Sequence, residues 1–144
     1  MRVISGKAKR LQLKSPKGMD TRPTTDRIKE TLFNMIQGEI PDCVFYDFYA
    51  GSGGIGIEAL SRGAKHAFFV ENGKSALECI KKNLNFTKLS DKATVVSRDV
   101  LSAIPFLNEK ADIIFMDPPY QLGNEAMVCQ MLKQSGCLKE DTLI

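Results

Sequence analysis

Two stretches of the sequence combine residue types that suit the binding of a nucleotide and of a base amine. Residues 47–56 read Asp-Phe-Tyr-Ala-Gly-Ser-Gly-Gly-Ile-Gly, and residues 117–120 read Asp-Pro-Pro-Tyr. Glycines let a backbone approach a ligand closely, and the start of a following helix offers N–H groups. Asp117 and a proline-fixed carbonyl could accept both N–H bonds of an exocyclic amine while Tyr120 stacks on the base. Such fixed acceptors would turn the nitrogen lone pair toward an electrophile, so this chemistry depends mainly on placement.

The glycine-rich stretch is compatible with more than one cofactor. Gly51-x-Gly53-x-x-Gly56 matches the dinucleotide fingerprint, and Glu71 follows Gly51 by twenty positions, where an acidic residue would bind ribose hydroxyls. A nicotinamide-dependent oxidoreductase is therefore one hypothesis, and a tight turn that only packs a helix on a strand is another. Asp47 favours a third, because a carboxylate at this point repels a pyrophosphate but suits the ammonium group of a methionine moiety.

The Asp-Pro-Pro-Tyr stretch also has a purely structural interpretation. Prolines often follow strands and fix φ, so two in succession could simply build a rigid turn. That interpretation explains neither the aspartate before them nor the aromatic residue after them, whereas an amine-holding site needs both. The stretch follows an apolar strand candidate, at the edge of the sheet where ligands of α/β proteins bind.

Strand and helix signals alternate along the chain and predict the frame that positions both stretches. The pattern indicates a doubly wound α/β fold with a mostly parallel sheet and right-handed crossovers. A first helix is predicted from Thr24 or Thr25 to about Gly38, with one apolar face formed by Ile28, Leu32, Met35 and Ile36. The strand candidates are residues 44–48, 67–71, 93–97 and 112–116.

Both ends of the chain carry further signals. Val3-Ile4 and Leu11-Gln12-Leu13 predict a short basic hairpin. The last helix should end at Gly136, with its buried stripe formed by Met127, Val128, Met131 and Leu132. Thr142-Leu143-Ile144 resembles the opening of a fifth strand, so we expect a truncated chain whose C-terminal strands are missing.

The charge of the chain is unevenly distributed. The chain has 144 residues, of which 43% are hydrophobic, and this apolar content is enough for one core. Its net charge is +3. Residues 1–30 hold nine Lys or Arg against three Asp or Glu, whereas the remainder holds eleven against fourteen. We expect a basic extension over residues 1–40 that grips a polyanion, and a cofactor-binding domain over residues 41–144; a solvated basic face is the alternative.

Metal, disulfide and membrane roles are not predicted. His66 has no neighbouring His or Cys, and no Cys-x-x-Cys pair occurs, so reduced core thiols are expected at Cys43, Cys79, Cys129 and Cys137. No apolar run approaches the roughly 20 residues of a membrane span, and the N-terminus lacks a signal-peptide core. We expect a cytoplasmic monomer.

The glycine loop and Asp-Pro-Pro-Tyr together resemble class I methyltransferases that modify base amino groups. Two further blocks, Arg-Pro-Thr-Thr-Asp-Arg-Ile-Lys-Glu-Thr-Leu-Phe-Asn at residues 22–34 and Glu-Ala-Leu-Ser-Arg-Gly at residues 58–63, are similar to the bacterial RsmD-type 16S ribosomal RNA guanine-N2 methyltransferases. The resemblance runs over nearly the whole chain. It implies S-adenosylmethionine as methyl donor and small-subunit ribosomal RNA as substrate. A DNA or RNA adenine-N6 methyltransferase and a non-catalytic RNA-binding protein remain as alternatives.

The resemblance also implies individual site residues. The methionine and ribose parts of the cofactor would contact Asp47, Gly51, Ser52 and Gly53; the ribose hydroxyls would contact Glu71, and the adenine amine Asp99. The target guanine would be held by Asp117, Pro118, Pro119 and Tyr120. The resemblance also implies that Arg22, Pro23 and Thr24 belong to a segment that folds over the active site, where Thr24 would contact the RNA. The uneven charge, and not the resemblance, predicts RNA contacts for Lys7, Lys9, Arg10, Lys14 and Arg22. For Asp99 the alternative is a helix N-cap before Val100. Members of the resembled family continue beyond Ile144, in agreement with the expected truncation.

Overall fold

The described residues of the protein form a parallel five-stranded sheet. The computed structural model describes residues 2–14, 26–107, 109–117 and 125–143. The strand order is β3-β2-β1-β4-β5, with parallel pairing throughout. The strands are β1 Val44–Phe48, β2 His66–Glu71, β3 Ala93–Ser97, β4 Ala111–Met116 and β5 Leu138–Leu143. The predicted α/β class and the first four strands are confirmed.

Helices lie between the strands and before the first of them. In the described part of the chain they are α1 Asp26–Ile36, α2 Gly54–Ser61, α3 Lys74–Thr87, α4 Val100–Ala103 and α5 Glu125–Ser135. Each of the last four connects two successive strands, as the parallel pairing requires. None of the helices among the described residues is long and apolar enough to cross a membrane.

The order of the strands reverses direction at β1. From β1 the chain moves outward through β2 to β3, and it then returns to β4 on the opposite side of β1. In open α/β sheets, ligands bind at such a switch point, in the crevice outside the carboxyl ends of the strands. Here that crevice lies where β1 and β4 end, and both stretches singled out in the sequence begin there.

Two hydrophobic clusters cover the faces of the sheet. Side chains alternate along β1, so Phe45 packs in one cluster and Tyr46 and Phe48 in the other. The first cluster also includes Val3, Ala8, Leu13 and Phe33, together with Ile57, Phe69 and Ile80. The N-terminal segment and α1 therefore contribute to the same core as the sheet.

The predicted apolar face of α1 is only partly correct: Leu32 and Ile36 pack against the first cluster, but the other two predicted residues do not. Ile28 and Met35 are 59% and 78% exposed, whereas Lys29 and Phe33 are fully buried. Lys29 turns inward because its ammonium group lies 3.4 Å from a buried carboxylate oxygen of Glu58. A pattern of apolar residues alone cannot reveal a buried lysine whose partner lies on another helix.

The elements at the two ends of the chain differ from the predicted ones in length or in their bounds. The N-terminal hairpin is present as a single antiparallel bridge between Arg2 and Gln12. β5 begins at Leu138 and not at the predicted Thr142. The prediction missed the start of this strand because Lys139-Glu140-Asp141 is poor in strand-forming residues. α5 ends before Gly136 as predicted, and Val128 and Leu132 are buried; Met127, however, is 55% exposed instead of buried.

The four cysteines are free thiols, as expected. Cys43 and Cys137 are buried and Cys79 and Cys129 are partly buried. Cys137 Sγ donates a hydrogen bond to the Leu107 carbonyl at 3.1 Å. Among the residues described, no group of His, Cys, Asp and Glu side chains is arranged to hold a metal ion.

Candidate cofactor and substrate site

The loop after β1 is a tight turn that needs left-handed backbone. Gly51 and Gly53 have φ of +60° and +82°, which glycine adopts without steric cost. Tyr49 also has a positive φ of +59°, which is uncommon for a residue with a side chain. The turn is closed by the Gly53 N–H, which donates to the Ala50 carbonyl at 2.9 Å. α2 begins directly after it, at Gly54.

The glycines of this loop have different surroundings. A Cβ added to Gly56 would lie 2.4 Å from the Phe69 ring, so Gly56 allows α2 to pack closely on β2. A Cβ on Gly53 would be in ordinary contact with Ile80 and Phe69. A Cβ on Gly51 would have nothing within 4 Å. Gly51 therefore faces open space at the end of the sheet, where a ligand could approach the backbone.

Asp47 lies beneath the loop. It is 1% exposed, and its Oδ2 accepts the Gly56 N–H at 2.9 Å. Burial raises the pKa of Asp47 to about 8; the Gly56 hydrogen bond opposes this rise, and the nearby Glu71 charge adds to it. The carboxyl group thus ties the end of β1 to the first turn of α2.

Glu71 links the end of β2 to the same loop. Its Oε1 accepts the Gly51 N–H at 2.9 Å, and its Oε2 accepts the N–H groups of Asn72 and Gly73 at 3.1 and 2.8 Å. A carboxylate offers about four acceptor positions, so these three bonds leave capacity for a further donor. The Glu71 side chain therefore both orders the loop and can accept a ligand hydroxyl.

Asp99 follows β3 and Asp117 follows β4, so both lie at the carboxyl ends of the strands, with β2 and β1 between them in the sheet. Asp99 comes two residues after Ser97, which pairs with Glu71 in the β2–β3 register. It occupies the N-cap position of α4, but its side chain makes no capping hydrogen bond. Asp117 is exposed and follows Met116, the register partner of Phe48 at the end of β1. Pro118, Pro119 and Tyr120 lie outside the described residues.

The basic N-terminal segment is fixed on α2 through its backbone. Lys7 N–H donates to the Ser61 carbonyl at 2.9 Å, and Ala8 N–H donates to the Ser61 hydroxyl at 2.9 Å. A Cβ on Gly6 would lie 1.7 Å from the Ser61 carbonyl oxygen, so the two segments are in direct contact. The segment exposes Lys7, Lys9, Arg10 and Lys14. Arg22 and Thr24 lie outside the described residues.

Two buried polar residues with a part in this arrangement escaped the sequence analysis. Glu58 is fully buried and accepts the N–H groups of Ile4 and Ser5 at 2.8 and 3.1 Å. Asn83 is 1% exposed and bonds the backbone of Lys14 and the Ser52 carbonyl. The only signal for Glu58 is a charge within an otherwise apolar helix; Asn83 has no local signal, because both of its partners are distant in sequence.

Comparison with known proteins identifies the family of the chain. A family model described as Conserved hypothetical protein 95 matches residues 1–144. The chain belongs to this family. It is 40% identical over 147 residues to YlbH of Bacillus subtilis, named as a candidate rRNA methyltransferase, and the match covers 100% of this chain and 80% of that protein.

Two further comparisons extend the family match. The chain is 35% identical over 144 residues to the ribosomal RNA small subunit methyltransferase D of Escherichia coli, covering 100% of this chain and 72% of that protein. It superposes on the solved structure of yhhF from Escherichia coli, described as a candidate methyltransferase, with a TM-score of 0.82 at 37% identity, over 96% of this chain and 75% of that one. The resemblance to RsmD-type enzymes is confirmed, and the oxidoreductase hypothesis has no support among these relatives.

Asp47 should make the stability of this family member depend on pH. Its pKa rises on folding from an ordinary 3.8 to about 8, so the folded state binds more protons than the unfolded state between these values. Stability should therefore fall as pH rises from about 4 to about 8. Asp47→Asn removes this loss, and its melting temperature relative to the parent should be several degrees higher at about pH 8 than at about pH 5.

Asp112→Asn serves as the matched control. Burial raises the pKa of Asp112, but hydrogen bonds from Lys139 and from the Val44 N–H outweigh burial and hold it below its usual range. The stability it contributes is therefore present throughout the interval above its ordinary pKa and is lost only in more acidic solution. The melting temperature of Asp112→Asn should therefore differ from that of the parent by the same amount at both pH values. If the melting temperature of Asp47→Asn also differed from that of the parent by the same amount at both pH values, this would contradict the conclusion that the folded protein holds a proton on Asp47.

Proposed function

We propose that this protein transfers a methyl group from S-adenosylmethionine to the exocyclic N2 amine of a guanine in 16S ribosomal RNA. One observation of the structure carries the proposal: the glycine loop after β1 and Asp117 after β4 lie at one switch point of the sheet, aligned by the Phe48–Met116 register. Methyl transfer requires such an arrangement, because the binding sites of the methyl donor and of the acceptor amine must be adjacent. The family relatives named as rRNA methyltransferases support the same activity.

The cofactor side of the proposed site consists of the β1 loop and the ends of β2 and β3. The open space at Gly51 would admit a ligand against the backbone, with Ser52 and Gly53 beside it. Asp47 holds a proton at neutral pH in the unliganded protein and would ionise when the ammonium group of the cofactor approaches. Glu71 would accept ribose hydroxyls, and Asp99, whose side chain makes no capping bond, would accept the adenine amine. The cofactor itself would supply an electrophilic methyl group on a sulfonium.

The substrate side comprises Asp117 with Pro118, Pro119 and Tyr120. Asp117 and a proline carbonyl would hold the two N–H groups of the guanine amine, and Tyr120 would stack on the base. The exposed lysines and arginine of the N-terminal segment, with Arg22 and Thr24, would contact the RNA backbone. We propose that the protein acts as a monomer in the cytoplasm.

Cofactor binding separates a methyltransferase from a dinucleotide enzyme. S-adenosylhomocysteine should raise the melting temperature of the purified protein, because a ligand that binds only the folded state stabilises it. NADH at the same concentration should leave the melting temperature unchanged. Stabilisation by NADH alone would contradict the proposal.

Glu71→Ala should weaken the binding of S-adenosylmethionine about tenfold to a hundredfold. The variant loses charge-assisted bonds to the ribose, worth about 1.5–3 kcal/mol. It also releases the Gly51 N–H that orders the loop. Calorimetric titration measures the affinity, and Glu78→Ala, which removes an exposed carboxylate from α3, provides the control. An unchanged affinity in Glu71→Ala would exclude Glu71 from the cofactor site.

A further inference from the structure

A cavity between the N-terminal segment and α3 lies outside the site described above. Its volume is about 410 Å³, within the usual range for small-ligand sites. Its lining residues are Gln12, Lys14, Lys82, Asn83, Asn85 and Phe86. Two segments that are distant in sequence thus form one concave surface.

The lining of this cavity has an unusual composition for a surface helix. The Phe86 side chain is 56% exposed, on the face of α3 opposite the buried Ile80 and Leu84. A single exposed phenylalanine is ordinary, but this ring shares its cavity with two lysines and three side-chain amides. None of the six lining residues is acidic. A cation-rich aromatic surface of this kind is complementary to an anion that carries a flat ring.

Single-stranded RNA has this chemistry. Proteins bind it by stacking its bases on aromatic side chains and by placing cations along the phosphates. Lys82 and Phe86 are four residues apart on α3, so they lie on the same face of the helix. Lys14 lies across the cavity on the N-terminal segment. The Asn85 Oδ1 accepts the Ser90 hydroxyl at 3.0 Å, and its side-chain NH₂ group is a donor suited to base edges.

Asn83 fixes the cavity relative to the cofactor loop. Its Oδ1 accepts the Lys14 N–H at 2.8 Å, and its Nδ2 donates to the carbonyls of Lys14 at 3.0 Å and Ser52 at 2.9 Å. One buried amide therefore joins α3, the N-terminal segment and the glycine loop. A ligand in the cavity would be held at a defined position with respect to the cofactor site.

We propose that this cavity binds an unpaired nucleotide of the substrate RNA outside the target guanine, with its base stacked on Phe86 and its phosphate contacted by Lys14 and Lys82. The inference rests on the proposed function and adds to it a second point of contact with the RNA. An enzyme that must place one amine within about an ångström of its position gains from such an anchor.

The test compares variants of Phe86 in binding to a single-stranded oligoadenylate of about 12 nucleotides. Phe86→Leu keeps an apolar side chain but removes the aromatic face, and should weaken binding about tenfold. Phe86→Tyr should bind within about twofold of the parent. Lys82→Ala should lower the salt dependence of log affinity by about 0.7, whereas Lys110→Ala, which changes an exposed lysine that does not line the cavity, should leave it unchanged.

A duplex RNA of the same length provides the second probe. Its bases are already stacked, so Phe86→Leu should not affect its binding. Equal oligoadenylate affinity in Phe86→Leu and the parent, or an equal loss for oligoadenylate and duplex, overturns the inference. Stabilisation by S-adenosylhomocysteine shows that each variant is folded. If the parent methylates ribosomal RNA while the Phe86 variants bind like it, only the cavity assignment fails; if the parent neither binds nor methylates RNA, the proposed function fails as well.

Discussion

Replacing Asp117 with asparagine should lower methyl-transfer turnover on the order of 10²-fold while leaving the affinity for S-adenosylmethionine unchanged. An exocyclic guanine amine is a poor nucleophile, because its lone pair is delocalised into the ring. Attack requires both N–H groups to be held so that the lone pair points at the methyl group. The side chain of Asn has one acceptor oxygen and one NH₂ group. In one of its two orientations the NH₂ group faces the N–H groups of the guanine amine, and no hydrogen bond can form.

The separation of the two effects follows from the position of Asp117. It lies at the end of β4, whereas Asp47, Gly51 and Glu71 lie at the ends of β1 and β2. Turnover on ribosomal RNA and cofactor affinity should be measured on the same preparation. Asp91→Asn, an exposed change before β3 at the opposite edge of the sheet, is the control. Turnover within threefold of the parent, or a parallel loss of cofactor affinity, would show that Asp117 does not hold the base.

Removing the Glu58 carboxylate should destabilise the protein by about 3–5 kcal/mol. Glu58 is fully buried, and its Oε2 accepts a hydrogen bond from Arg62 Nε at 2.7 Å while Oε1 faces Lys29 Nζ at 3.4 Å. The same carboxylate accepts the backbone N–H groups of Ile4 and Ser5. Glu58→Ala would leave the Lys29 ammonium group with the Arg2 carbonyl but without a counter-charge, and two backbone N–H groups without their acceptor. Each change is costly away from water.

Urea unfolding at neutral pH measures this loss, with the exposed Glu78→Ala as control. Burial already lowers the pKa of Lys29, and the Glu58 charge opposes that fall. Without Glu58 the ammonium group should lose its proton more readily. Because Glu58 holds Ile4 and Ser5, the variant should also bind RNA more weakly through the segment that carries Lys7 and Lys9. A loss of stability below about 1 kcal/mol would contradict the role assigned to Glu58.

The features that the sequence predicted well are those encoded by local chemistry. Apolar runs bounded by turn residues marked the first four strands, and left-handed glycines marked the turn after β1. Because parallel strands end at one edge, the same reasoning placed Asp117 at the edge of the sheet that carries the glycine loop, whereas Asp99 was indicated only by the family resemblance. For the glycine loop and Asp117, the sheet topology and the local sequence signals therefore indicate the same location.

The features that were missed depend on contacts between distant residues. The buried face of α1 includes Lys29, whose partner Glu58 lies on α2. Asn83 on α3 forms hydrogen bonds to the backbone of Lys14 and of Ser52. The spacing of these residues in the sequence does not indicate that they are close in space. Phe86 has no local signal as a binding residue, because Gln12 and Lys14, which line the same cavity, are distant in sequence. Long-range polar contacts carry no periodicity from which they could be inferred.

The most direct test of the account is the nucleoside formed when the purified protein acts on unmethylated small-subunit ribosomal RNA with S-adenosylmethionine. The RNA is digested to nucleosides and analysed by mass spectrometry, with the Asp117→Asn variant alongside. We predict N2-methylguanosine in the parent reaction and strongly reduced N2-methylguanosine in the variant. Formation of N6-methyladenosine instead, or the absence of any methylated nucleoside from a protein that binds S-adenosylhomocysteine, would contradict the proposed reaction.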